Sequence, residues 1–218
     1  MQNEGFYHHP PGRCAGSSRL RERDLRNNPP PHSFQASLTL PPLQCNLLTQ
    51  SLGSKIALPG QPAYVQAGNA FWSLQETSIQ PACILIPSSA QDVAQAVSVI
   101  ASVAACEFAI KGRGHNPAAG FANVQGGVTI DMTPLSGVEV NEDHSVARVG
   151  PGATRLDVYQ YLDPFNVSAA GGRNGAVGVG GLLLGGGISH FSPRVGWACD
   201  NVVNFEVSNP QSICPLPV

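Results

Sequence analysis

Charge is what this chain has least of. Asp, Glu, Lys and Arg supply 12% of its 218 residues and leave a formal net charge of −2, about half the charged share of an ordinary soluble domain. With no basic stripe outside the N-terminal region, that balance excludes a nucleic-acid-binding surface. The six cysteines (Cys14, Cys45, Cys83, Cys106, Cys199 and Cys214) contain no Cys-x-x-Cys pair. That excludes a zinc ribbon or a thioredoxin-like site, and no metal site is expected. In a chain of this length the cysteines allow one or two bridges at most, if the protein is exported. The patterns G-x-x-x-x-G-K-[ST] and G-x-G-x-x-G are missing too, so neither a P-loop nor a Rossmann site is supported.

Long apolar runs are also absent. Residues 174–193 carry no formal charge and include Gly181-Leu182-Leu183-Leu184-Gly185, but the apolar part is far too short to span a bilayer. No membrane partner is expected. No apolar h-region follows an initial charge, so no signal peptide is visible and localisation stays open. Residues 1–40 are polar and irregular and read as a disordered tail. The His8-His9 pair within it ordinarily binds no metal.

What the chain does have is glycine (24), proline (19) and a 42% apolar share, enough for one sizeable domain with a core. From Leu38 to Gln80 the reading is ordered but loop-rich, with Pro41-Pro42, Pro59-Gly60 and Pro62 as punctuation. Ala82–Ile86 reads as a buried strand between prolines. Ser88 with Gln91 forms a capping box, and Val93, Ala96, Val97, Ile100 and Ala104 follow on one helical face. Phe108–Lys111 is the next strand. Gly127–Asp131, Gly137–Val140 and Ser145–Val149 are further strand candidates. Thr154 caps a short helix to Leu162, with Asp157 as a helix-cap residue rather than an acid catalyst. Val202–Val207 is the last strand candidate.

Two glycine-rich stretches stand apart. Lys111-Gly112-Arg113-Gly114-His115-Asn116-Pro117-Ala118-Ala119-Gly120-Phe121 leaves the end of a strand, where phosphates are often received. Its glycines let main-chain N–H groups converge on an anion, and Arg113 adds a fork suited to phosphate oxygens. His115 is the group in this cradle able to do covalent chemistry. The loop therefore reads as a seat for the pyrophosphate of a dinucleotide cofactor, with His115 either bonded to it or touching phosphate without a bond. The second stretch runs from Ala169 to Gly187, and nine of the 17 residues from 171 to 187 are glycine. That density fits neither a packed helix nor a regular strand and implies backbone pressed against something flat or anionic.

Together these two segments, with the Pro81–Pro87 strand, Gly127–Asp131 and Asp200-Asn201-Val202-Val203, resemble the flavin-binding domain of the vanillyl-alcohol oxidase (p-cresol methylhydroxylase-type) family. Within that family the berberine-bridge-enzyme-like FAD-linked oxidases are most similar. The resemblance covers residues 65–207 and extends less fully toward 40. It implies an α+β fold: a two-subdomain FAD-binding domain over 41–207, with a small strand–helix–strand subdomain and a mixed or antiparallel sheet subdomain. FAD is the implied cofactor. Gly112, Arg113, Gly114, His115 and Asn116 would hold its pyrophosphate, His115 would bond the flavin 8α-methyl carbon, Val177, Gly178, Gly180 and Gly181 would form the second cofactor loop, and Val202 would meet the cofactor again. Asn174 stands where some members carry a second, cysteinyl link, so attachment through His115 alone, or none, is implied.

The implied activity is oxidation of a small organic alcohol, amine or sugar by hydride transfer to flavin. In the family a substrate domain follows. Here residues 208–218 hold three prolines in the last nine residues and read as an irregular tail, so the substrate domain is read as missing. No catalytic base is assigned, weak or absent turnover is expected, and a non-catalytic FAD-binding protein is the alternative reading. Relatives are often secreted, and in exported ones Cys45 and Cys83 would pair; otherwise they are two buried thiols. Cys106 is expected in the core, His144 in solvent and His190 in packing.

Overall fold

The computed structural model describes residues 42–209 and 213–217. The tail read over residues 1–40, with His8-His9, lies outside the described residues.

Helix α4 (Ala90–Ser102) shows why the sequence folds as it does. Val93, Ala96 and Ile100 recur on one face and are buried, each large side chain contributing about 1.5–3 kcal/mol on leaving water. Its cap is one residue later than expected. Ser89 Oγ accepts the Asp92 N–H at 3.2 Å, and Asp92 accepts from the Ser88 and Ser89 N–H groups and from Lys55 Nζ. A carboxylate gathers these donors better than the Gln91 amide could. Burial pushes the Asp92 carboxyl up, but the Lys55 ammonium and the Ser88 and Ser89 bonds reverse that and hold it well below the usual carboxylate range.

Strands β2 (Cys83–Leu85), β3 (Phe108–Lys111) and β4 (Val128–Asp131) run parallel, with β4 between the other two, and β1 (Ile56–Ala57) joins antiparallel beside β2. Helix α1 (Leu43–Leu52) packs with α4 on one sheet face, placing Cys45, Leu48 and Leu52 against Leu85, Val128 and Ile130. The opposite face receives Tyr64 and Ala67 of α2 (Pro62–Gly68) beside Ile84.

The loop-rich expectation for Leu38–Gln80 is thus corrected, since much of the segment is helical. Two of its prolines are helix starts rather than breaks: Pro42 is the N-cap of α1, and Pro62 opens α2, where a missing N–H costs nothing. Pro59-Gly60 does form a turn, as expected. Cys45 and Cys83 form a disulfide joining α1 to β2, which resolves the open alternative. Cys106 is half-buried against this same core.

Beyond β4, hairpin β5 (Val138–Val140) and β6 (Ala147–Val149) packs with α5 (Arg155–Leu162) around Ala153, Val158, Leu162 and Val179. The capping box of α5 is the expected one, Thr154 with Asp157. Its bonds to the Thr154 backbone and hydroxyl, with help from Arg113, hold the Asp157 carboxyl below its ordinary value. The second glycine segment does form helix, against expectation, for the six residues of α6 (Val179–Leu184).

The C-terminal stretch is also corrected. Strand β7 (Asn204–Ser208) pairs antiparallel with β8 (Ile213–Pro217). Pro215 and Pro217 lie two apart, so both missing N–H groups fall on the same, open edge of β8, where a strand tolerates proline. The α+β architecture matches expectation. Among the described residues no helix is long and apolar enough to cross a membrane, and no group of three His, Cys, Asp or Glu could hold a metal ion.

Candidate functional site: two glycine loops presenting main-chain amides

The first loop leaves β3 beside the end of β4, where Lys111 pairs with Asp131 in register. Lys111 is 1% exposed. Its Nζ donates to Asp131 Oδ2 at 3.1 Å and to the Ala67 carbonyl at 2.9 Å, and it sits 4.6 Å over the Phe71 ring. Such a buried pair is worth little as net stability, but it fixes where the loop begins. The Thr133 hydroxyl lies between Asp131 Oδ1 and the Gly112 carbonyl, 3.2 Å from the latter.

From there a short segment around helix α3 (Leu74–Thr77) grips the loop along its length. The Trp72 N–H donates to the Gly114 carbonyl at 3.0 Å and Ser73 Oγ to the Pro117 carbonyl at 3.1 Å. The wholly buried Glu76 carboxylate accepts the N–H groups of Gly120, Phe121 and Ala122 at 3.2, 2.9 and 2.7 Å.

These anchors set the loop's polarity. In a planar trans peptide the C=O and the following N–H point opposite ways. Holding the carbonyls of Gly112 and Gly114 on the protein side therefore turns the Arg113 and His115 N–H groups outward. Among the described residues, none of the N–H groups from Gly112 to Asn116 meets a protein acceptor. Gly114 has φ +63°, and a Cβ there would lie 2.8 Å from Phe71 Cδ1, so the position requires glycine. Asn116 Oδ1 accepts from the Ala118 N–H at 2.9 Å. His115 is half-buried and its ring stacks on Trp72, with centroids 5.1 Å apart and planes at 19°.

The second segment is held the same way. The N–H groups of Arg155 and Leu156 donate to the Val177 and Gly175 carbonyls, each at 3.0 Å, so the Gly178 N–H faces away from α5. The two loops meet here: a Cβ on Gly178 would lie 2.8 Å from Arg113 Cγ and 3.2 Å from Arg113 N. Gly112 and Gly180 flank one carbonyl, that of Pro151, at 3.4 Å from either Cβ position. Val177 and Gly181, with Gly172, Arg173, Asn174 and Trp197, line an open cavity of about 450 Å³.

The structure thus brings Gly112 and Arg113 together with Gly178 and Gly180, sets Gly114 against Phe71 instead, and sets Val177 and Gly181 along the cavity. Val202 is not among the lining residues. It follows the turn Ala198–Asn201, which the Ala198 and Cys199 N–H groups tie to the Gly187 and Gly186 carbonyls. His190 is exposed rather than packed, and His144 is exposed as expected.

Sequence reasoning missed Trp72, Ser73, Glu76 and the Lys111–Asp131–Thr133 group. Ser73-x-x-Glu76 carries a capping-box spacing, which could have drawn attention to it. Ser73 does cap α3, but Glu76 turns away to the neighbouring loop.

A family model described as FAD binding domain matches residues 81–212. The chain belongs to that FAD-binding domain family. The FAD-dependent monooxygenase tpcD of Cochliobolus heterostrophus is 52% identical over 137 residues, covering 63% of this chain and 26% of that protein. The FAD-dependent monooxygenase FUP4 of Fusarium proliferatum is 45% identical over 169 residues, covering 76% of this chain and 32% of that protein. This FAD-binding domain therefore spans between a quarter and a third of these relatives. The 6-hydroxy-D-nicotine oxidase of Arthrobacter nicotinovorans superposes with TM-score 0.68 at 26% identity, over 74% of this chain and 35% of that one. The BBE-like 1 protein of Physcomitrella patens shares the fold, with TM-score 0.67 at 22% identity over 80% of this chain and 37% of that one. The flavin-binding resemblance is upheld, and the likeness to a berberine-bridge-enzyme-like protein is one of fold.

The residues present fit FAD. Outward amides at Arg113, His115 and Gly178, with the Arg113 stem against a Gly178 that carries no Cβ, suit a pyrophosphate.

Proposed function

We propose that this chain is the cofactor-holding module of an FAD-linked oxidoreductase, with the flavin bonded through His115, acting on a small organic alcohol, amine or sugar. The single observation behind this is the convergence of the two glycine loops, with their free amides, beside one accessible imidazole. Bound FAD would supply the electron-accepting chemistry, taking a hydride from the substrate.

The chain's own residues bind and orient. The Gly112–Asn116 amides and Arg113 meet negative charge. Gly178 keeps the second loop against the first, and the cavity beside Val177 and Gly181 gives the ring system an apolar and glycine-lined wall. Trp72 holds the His115 ring in one plane, so that a ring nitrogen is presented at the edge of the stack. A catalytic base is left to the part of the relatives that this chain does not span.

The test is spectroscopic. Purified protein should be yellow, and flavin fluorescence should stay with the polypeptide through denaturing electrophoresis. His115→Ala should release the flavin on denaturation while still binding it in the native state. Colour lost from the unmodified chain on denaturation would leave FAD binding standing and remove the covalent bond. A colourless, correctly folded chain would remove both.

A further inference from the structure

Arg155 is a charge in the wrong place for stability. It is 2% exposed, no carboxylate lies within ion-pair distance of it among the described residues, and its Nε has no hydrogen-bond partner. A buried, uncompensated cation with an orphaned donor costs free energy. What its guanidinium does touch is the start of the second glycine segment. Nη2 donates to the Ala169 carbonyl at 3.1 Å and the Ala170 carbonyl at 3.3 Å. The group also lies where a side chain on Gly171 would stand, since a Cβ there would be 1.9 Å from Arg155 Cζ.

One turn along α5, Tyr159 lies under the guanidinium at 4.8 Å, and its hydroxyl donates to the Gly172 carbonyl at 2.8 Å. Three carbonyls of one short stretch are thus drawn to the α5 side. By peptide planarity, the N–H groups of Ala170, Gly171 and Arg173 face the other way, and among the described residues they meet no protein acceptor. Gly172 and Arg173 line the cavity.

We propose that Arg155 and Tyr159 are positioning residues for the cofactor: they hold the Ala169–Gly172 backbone so that a second row of amides, from Ala170 to Arg173, is presented to an electron-rich edge of FAD. This rests on the reading that the chain holds FAD. It extends the amide surface several residues upstream of the glycines that the sequence marks, and it gives the buried guanidinium a role that stability does not.

The experiment uses the full chain carrying His115→Ala, so that FAD exchange is reversible, with and without Tyr159→Phe or Arg155→Met. Tyr159→Phe keeps the ring and removes one hydrogen bond. Arg155→Met keeps much of the stem and removes the charge, a change that buried sites often tolerate. FAD affinity should fall about tenfold in Tyr159→Phe and about a hundredfold in Arg155→Met. The melting midpoint of each apoprotein should move by less than about 2 °C. Amide hydrogen exchange over residues 169–173, measured without FAD, should quicken in both variants.

Unchanged affinity in both variants overturns the proposal. So does a loss of affinity matched by an equal fall in apoprotein stability, which marks a merely structural pair. Should the parent chain take up no FAD, the cofactor reading itself fails. Exchange then still decides: faster exchange supports the positioning, and unchanged exchange overturns it.

Discussion

The first glycine loop is held from far away and the second from close by. Trp72, Ser73 and Glu76 reach across more than 40 residues of chain to the stretch from Gly114 to Ala122, whereas Arg155 and Tyr159 lie 13 to 15 residues from the carbonyls they hold. Distant anchors exist only once the sheet and α3 have assembled, so the first loop inherits the stability of the whole core. Nearby anchors come from α5 alone, whose own cap and hairpin are local. The lesson is that equal presentation of amides does not mean equal robustness: the first loop should fail with the core, the second independently of it.

Removing the Cys45–Cys83 disulfide should have the largest effect. The bridge closes a separation of 38 residues, and its loss should lower stability by about 4 kcal/mol. In denaturant, with exchange measured by region, residues 112–122 should loosen before 169–178. Simultaneous loosening would break the comparison. Glu76→Gln comes next. It replaces a buried acceptor of three amides with a group that must turn donors toward donors, at a cost of about 3 kcal/mol. Proteolysis should then open residues 114–122 first.

Gly178→Ala tests the meeting point. Its new methyl would press on the Arg113 stem and backbone, so FAD affinity should fall about tenfold, equivalent to about 1.4 kcal/mol, with little change in melting. The smallest effect is acid sensitivity. Asp92 and Asp157 both titrate below their ordinary value in the folded protein. Their capping contribution, about 1 kcal/mol each, is therefore complete above about pH 4 and lost as pH falls through the folded values. Asp92 is the more strongly lowered, so the α5 cap beside the second loop should weaken at higher pH than the α4 cap. Unfolding followed against pH in Asp92→Asn and Asp157→Asn checks the order.

What was legible in the sequence was local. Helices α4 and α5 announce themselves through a cap and a repeating apolar face, and both glycine segments through composition. Helix α1 did not, because only Cys45, Leu48 and Leu52 of its ten residues are buried and Pro42 in front of it reads as a break. Strand β8 was hidden for a similar reason: prolines argue against a strand unless an edge position is known in advance. The clasp from Trp72 to Glu76 was legible only as the local Ser73-x-x-Glu76 cap spacing; its partners across 44 residues leave no mark in the neighbouring sequence.

Peptide planarity gives the first loop one last consequence. Its recognition is a two-way choice, because each peptide offers either hydrogen or oxygen to the outside. Glycines at 112 and 114 let a single peptide rotate by half a turn at little steric expense. Such a flip would swap an electropositive lip for an electronegative one, so that the loop would repel phosphate and attract a cation. Thr133 and Trp72, by keeping two oxygens indoors, therefore decide the sign of what the loop welcomes, although neither hydrogen bond has to touch the guest.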